Sequence, residues 1–158
     1  MTAIIAICIL VTAPAATPQS DDAVLMARVI WAEARGECFN GRLLVAQTIL
    51  DRVEDGKWGG TIEEVVTRPH QFAIFRGDPA LTRCGINNPH LFDELVKIAK
   101  YALAGGRFNC NYRVLFFRSR VSHNNDWWAP FIFRVGNHAF YGYRRESQNQ
   151  YYPREVAA

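Results

Sequence analysis

Apolar positions recur at helical spacing through most of the chain and change to short β-prone runs near its C-terminal end. Thr17 to Asp22 is polar and offers Ser20, Asp21 or Asp22 as an N-cap, and the stretch from Ala23 to Ala34 is strongly apolar. Gly36 then stands where a left-handed residue closes a helix, so the pattern predicts a first helix over Asp22 to Arg35. Asn40 is a cap candidate for a second helix, Gly41 to Val53, whose Leu43, Ala46, Gln47, Leu50 and Val53 share one face expected to be core. Thr61-Ile62-Glu63-Glu64 has the form of a capping box and opens a short helix that must stop near Pro69. Asn88-Pro89 opens another, with Leu91, Phe92, Leu95, Ala99, Ala102 and Leu103 as its apolar stripe and Gly105-Gly106 as its end.

Gln71 to Asn87 has no sustained period and contains Gly77, Pro79 and Gly85, which predicts a long loop suited to lining a groove. Val114 to Phe117, Phe131 to Val135 and His138 to Tyr143 are β-prone, with Gly136-Asn137 as a turn between the last two. The expectation is an α+β fold, mostly α, with a small antiparallel β element. At 158 residues, with 49% hydrophobic and 21% charged residues, the chain suits one globular domain and excludes wholesale disorder and a polytopic membrane protein.

Two features bear on location. Ala3 to Val11 is an apolar run too short to span a bilayer, and Ala13-Pro14-Ala15 resembles a small-x-small cleavage site. Residues 1–19 read as a signal peptide or, since the n-region has no Lys or Arg after Met1, as an uncleaved N-terminal anchor. Export to the periplasm, cell wall or exterior is expected, with residues 20–146 as the working domain and 147–158 as a tail. From Arg107 onward eight Arg face three acids, whereas ten basic and twelve acidic residues precede it. A basic last third suits a polyanion such as a bacterial wall, a nucleic acid or no partner at all. Removal of the leader takes Cys8 and leaves Cys38, Cys84 and Cys110, an odd number in an oxidising compartment. A Cys84–Cys110 disulfide across the Asn88–Leu103 helix is the expected pairing.

Glu33 carries the first chemical signal. It lies three residues past Ile30 and four past Val29, so it extends the apolar stripe of the first helix instead of the polar face. Partial burial and the negative end of the helix dipole both disfavour the ionised form. A protonated carboxyl is what glycosidic cleavage requires, because the departing oxygen must receive a proton. The alternative is an acid paired with Arg28, Arg35 or another arginine.

The run Leu25-Met26-Ala27-Arg28-Val29-Ile30-Trp31-Ala32-Glu33-Ala34-Arg35-Gly36-Glu37, followed by Gly41 to Val53, resembles the opening of the spore cortex-lytic, SleB-type cell wall hydrolase family. Thr61 to Val66, Gln71-Phe72, Val114 to Phe117 and Arg134-Val135-Gly136-Asn137-His138-Ala139-Phe140-Tyr141 resemble its later blocks in order. The resemblance spans roughly Asp22 to Arg144. It implies a lysozyme-like, lytic-transglycosylase-like domain that cuts peptidoglycan between N-acetylmuramic acid and N-acetylglucosamine, with Glu33 as the single catalytic acid/base. No cofactor, metal, nucleic acid or stable protein partner is implied, and a monomer is expected. Glu37 is the only nearby second acid, and we read it as holding the Gly36 turn or an arginine.

Further contacts to the glycan are expected from several residues. Gln71 and Phe72 either face the cleft, bonding an acetamido group and stacking a sugar, or serve as a cap and a core aromatic. Trp127 and Trp128 are adjacent in a loop, one expected to pack inward and the other to stack on sugar. His138 and Tyr141 belong to the last block. Phe116-Phe117 stands where the family often has Tyr, so any hydroxyl needed there falls to Tyr101, Tyr112 or Tyr141. Two rivals remain open: a wall amidase or peptidase with Cys38 as nucleophile and His138 as base, and a non-catalytic peptidoglycan-binding module. His70, His90, His123 and His138 are too scattered for a zinc hydrolase.

Overall fold

The computed structural model describes residues 18–72, 83–119 and 129–145. Residues 1–17 of the expected leader, Trp127, Trp128, the C-terminal tail and much of the loop after Phe72 lie outside the described residues, whereas residues 18 and 19 of that leader open the first helix. Among the described residues four helices precede three strands: α1 (Pro18–Ala34), α2 (Phe39–Asp55), α3 (Ile62–Thr67), α4 (Pro89–Leu103), β1 (Tyr112–Arg118), β2 (Phe131–Val135) and β3 (His138–Arg144).

Helix α1 begins four residues before the expected Asp22, because Pro18 has the fixed φ and missing N–H that suit a first helical position. It buries Ala23, Met26, Ala27, Val29, Ile30 and Ala34. Helix α2 also starts early. Cys38, not Asn40, is its N-cap and makes no side-chain cap bond. Gly56 ends it in the left-handed region at φ 77°, its N–H reaching Arg52 O at 3.0 Å.

The expected cap forms at α3, where Thr61 Oγ1 accepts from Glu64 N at 3.1 Å, while Glu64 Oε2 reaches past Thr61 to accept from Gly60 N at 2.7 Å. At α4, Asn88 Oδ1 accepts from Leu91 N at 3.1 Å and Pro89 follows as the first helical residue. Helices α1, α2 and α4 enclose the main apolar cluster, with Met26, Ile30, Ile49 and Leu95 at its centre.

The strands form one antiparallel sheet in the order β1-β3-β2. Cross-strand partners Phe117, Phe140 and Phe133 share one face with Val114, and this face packs on Leu44 of α2. The row Phe116, Tyr141 and Phe131 lies on the other face, where Trp58 covers Phe116 at 5.6 Å between rings. Irregular register between Val114 and Phe116 and between Phe131 and Phe133 produces this sorting, since an added residue switches the face of all that follow.

Helix α2 is buried over more of its surface than one stripe allows. Leu44, Gln47, Thr48, Asp51 and Arg52 are all buried and face the sheet side, whereas Leu50 and Val53 of the expected stripe are only half-buried. These polar groups are satisfied: Gln47 Oε1 accepts from Phe108 N at 3.0 Å, and Thr48 Oγ1 donates to Leu44 O at 2.9 Å. The expected Cys84–Cys110 disulfide is not formed; Cys38, Cys84 and Cys110 are free thiols. Cys110 is held on the sheet side, its Sγ 3.8 Å from Gln47 Nε2, while Cys84 lies within the field of Arg28 and Arg35 on α1 and the turn after it.

Candidate active site

Glu33 sits in the last turn of α1, half-buried, one residue before the buried Ala34 and beyond the fully buried Val29 and Ile30. The helix end it occupies is tied down by its own turn. Glu37 N donates to Ala34 O at 2.9 Å and Arg42 Nη2 donates to Arg35 O at 2.9 Å, so terminal carbonyls of the helix have donors.

Glu37 meets neither of its expected partners alone. Its carboxylate crosses to the β2–β3 turn, where Asn137 N donates to Oε2 and Asn137 Nδ2 donates to Oε1, both at 3.0 Å. The side chain is only 8% exposed. Burial by itself would raise this carboxyl, but the two Asn137 bonds, then His138 and Arg42, outweigh it and hold Glu37 below the usual carboxylate range. His138 Nδ1 stands 3.7 Å from Glu37 Oε1, too long for a hydrogen bond, and has no such partner among the described residues.

From His138 an aromatic row runs inward. Phe117 meets the His138 ring edge-on at 5.4 Å, Phe72 at 6.4 Å and Phe140 at 6.1 Å. Phe72 is 3% exposed, so it is a core aromatic and not an open sugar platform. Gln71 is half-buried, and its Oε1 accepts from Arg52 Nη1 at 3.2 Å. Arg52 in turn donates Nε to Leu115 O at 2.8 Å and stacks over Phe72, Trp58 and Phe116 at 5.0 to 5.6 Å. With Oε1 engaged, Gln71 has its amide hydrogens left to offer among the described residues.

The three tyrosines do not gather at this end of the sheet. Tyr112 opens β1, five residues or about 16 Å from Phe117 along the strand, and lies under the Arg144 guanidinium. Tyr141 is buried on the opposite face against Phe131. Tyr101 is exposed and packs on Phe39. The hydroxyl that Phe117 lacks is therefore not supplied by Tyr112 or Tyr141 from the same face. Cys38 is exposed and no hydrogen bond joins it to His138 among the described residues. The residues that sequence reasoning missed are Asn137, read only as a turn former, and Arg52. A signal for Arg52 existed in its place beside Gln47 and Asp51 on one face of α2.

Comparison with known proteins agrees with this architecture. The chain is 30% identical over 128 residues to the cell wall hydrolase CwlJ of Bacillus subtilis, covering 77% of this chain and 85% of that protein. It is 28% identical over 122 residues to the spore cortex-lytic enzyme of Bacillus cereus, 76% of this chain but only 44% of that longer protein. The fold matches the catalytic domain of the germination-specific lytic transglycosylase SleB from Bacillus anthracis with a TM-score of 0.58 at 22% identity, covering 82% of this chain and 99% of that one. The catalytic domain of Bacillus cereus SleB matches with a TM-score of 0.59 at 23% identity over 81% of this chain and 94% of that one. The lysozyme-like α+β fold expected from the sequence is thus the fold observed. The family match runs from residue 36 to 141, so it contains Glu37, Asn137 and His138 and begins three residues after Glu33. By that match, which takes in both walls of the Glu37–Asn137 contact, the chain belongs to the Cell Wall Hydrolase family.

Proposed function

We propose that this protein cleaves the glycan strands of peptidoglycan between N-acetylmuramic acid and N-acetylglucosamine, as a lytic transglycosylase with Glu33 as its single acid/base. The supporting observation is the placement of Glu33: a half-buried glutamate that continues an otherwise apolar helix stripe at the end of α1. Its neighbour Glu37 has both oxygens engaged by Asn137 and is poorly suited to act as a second reacting carboxylate. A two-carboxylate hydrolase needs such a partner at about 5 to 9.5 Å, whereas a transglycosylase does not.

In this reading the Glu33 carboxyl gives its proton to the glycosidic oxygen as the bond to the muramic anomeric carbon breaks, and the N-acetylglucosamine end leaves as an alcohol. The resulting carboxylate takes the proton of the muramic 6-hydroxyl as that oxygen closes on the anomeric carbon. The product is a 1,6-anhydro end, and Glu33 regains the proton it gave. Neither metal nor cofactor enters this sequence. The names of the relatives, which act on cell wall and spore cortex, support peptidoglycan as the substrate. An exported monomer facing the wall is the corresponding setting, with Gln71 offering an amide N–H to an acetamido oxygen and Trp127 and Trp128 as sugar contacts.

Digestion of purified peptidoglycan followed by mass analysis of the muropeptides tests the proposal. Anhydro ends are expected, and Glu33→Gln should lose activity by about 10²- to 10⁴-fold, the range for a general acid/base. Reducing ends would replace transglycosylation by hydrolysis; new amino groups would point to an amidase. Undiminished digestion by Glu33→Gln would overturn the assignment of the acid.

A further inference from the structure

We infer that Glu37 and Asn137 form a latch that sets the position of Glu33, so that Glu37 is a positioning residue and not a reacting one. This rests on Glu33 being the acid, and goes beyond it in assigning a task to the pair. The contact joins segments 100 residues apart: the α1–α2 turn and the β2–β3 turn.

Three features mark it as built. Both oxygens of one carboxylate receive both N–H donors of one residue, at 3.0 Å each, and a carboxylate is the side chain that accepts twice with no donor of its own. The β2–β3 turn is shaped around that carboxylate, since Gly136 is left-handed at φ 58° and a Cβ there would collide with Glu37 Oε2. The first turn of α2 is shaped likewise, because a Cβ on Gly41 would come 2.9 Å from Glu37 Cβ.

The latch acts on Glu33 through a short, stiff link. Glu37 N closes the turn onto Ala34 O at 2.9 Å, and Ala34 follows Glu33 directly. The sheet end that bears Phe117 and His138 is thereby held against the helix end that bears the acid. Displacement of a reacting group by about 1 Å costs on the order of 10²-fold in rate. A carboxylate with a donor on each oxygen and little exposure to water holds geometry well and exchanges protons with substrate poorly.

An exchange of the two groups tests the latch in the full chain. Glu37→Gln keeps an acceptor for the Asn137 backbone N–H and can bond the Asn137 carboxamide again once that amide turns over, so it replaces a charged acceptor by a neutral one. Asn137→Asp opposes two carboxylates. The double variant restores complementarity, the introduced amide donating to the introduced carboxylate. With isolated peptidoglycan as substrate, Asn137→Asp should lose at least tenfold in kcat with KM within about twofold, Glu37→Gln should lose less, and the double should return to within about threefold of wild type.

Melting temperatures of all four proteins accompany the rates. Asn137→Ala, which removes one bond and leaves the backbone donor, serves if a single exchange variant does not fold; a smaller kcat loss with KM unchanged is expected. Wild-type kcat in Asn137→Asp beside an inactive Glu33→Gln would overturn the latch and leave the acid in place. A double variant no better than the worse single would also overturn it. An active Glu33→Gln beside an inactive, unrescued Glu37→Gln would make Glu37 the acid and overturn both.

Discussion

The Asp51 carboxylate of α2 lies wholly out of solvent and accepts the backbone N–H of Val114 in β1 at 2.7 Å. Its other oxygen pairs with Arg145 Nη2 at 2.7 Å, just past the end of β3, and Gln47 Nε2 lies 3.4 Å from the first. Helix and sheet are joined here by charge as well as by the Leu44, Val114 and Phe140 contact. Removing one member of a buried pair strands the others, which costs about 3 kcal/mol or more. Asp51→Ala is expected to lower the melting temperature by roughly 6 to 12 °C for a chain of this size, read by calorimetry. A change of under about 2 °C would mean that the strand amide and Arg145 find other partners at no cost.

Acid should loosen the Glu37 contact. Burial would raise the Glu37 carboxyl, but its bonds to Asn137 and the charges of His138 and Arg42 lower it on balance. A lowered native value means that the stability is fully present above the unfolded carboxylate value, about 4.3, and is lost as pH falls through the native one. Glu54 is lowered too, burial being outweighed by Arg113 and Arg145. Asp51 has the opposite sign: burial is the largest influence and raises it, so its contribution declines as pH rises through the carboxylate range. Thermal melts of wild type and Glu37→Gln should differ at neutral pH and converge below about pH 4. A gap that stays constant from neutral to pH 3 would contradict the linkage.

Much of this was legible along the chain, and the reason differs by feature. The Thr61 cap of α3 and the Asn88-Pro89 start of α4 are local devices made by residues three or four apart, so their sequence spacing is their structure. The strands were legible too, because Phe131 to Val135 and His138 to Arg144 flank a turn that Gly136 dictates. The start of α2 was misplaced since Asn40 has the chemistry of a cap, but the chain turns at Cys38. Glu33 stood out as a carboxyl on an apolar stripe. What Glu37 does was hidden, because its partner lies 100 residues away and no periodicity carries that distance. Phe72 illustrates the same limit, its burial being decided by Arg52 and Phe117 from other elements.

The three free thiols differ in setting and should differ in reactivity. Cys38 is exposed, whereas Cys84 and Cys110 are half-buried. Burial pushes the Cys84 thiol up, only partly opposed by Arg28 and Arg35, which leaves less of the reactive thiolate. Alkylation of the native protein followed by mass mapping is expected to label Cys38 first. A Cys84–Cys110 cross-link in the unreduced protein would show that these segments approach one another in a way the present fold does not have.

Gly136 and Gly56 separate the cost of a left-handed backbone from the cost of disturbing the latch. Both have positive φ, 58° and 77°, so an alanine at either position is strained by about 1 kcal/mol. Around Gly56 nothing lies within 4 Å of a new Cβ, whereas at Gly136 the new atom would strike the Glu37 carboxylate. Gly56→Ala should therefore lose about 1 kcal/mol in denaturant unfolding and keep its rate on peptidoglycan. Gly136→Ala should lose roughly 2 to 3 kcal/mol, the surplus being that of a displaced buried carboxylate, and its kcat should fall as in Asn137→Asp. Equal losses in the two variants would indicate that the Glu37 side chain moves aside freely, and that the β2–β3 turn needs glycine for its backbone alone.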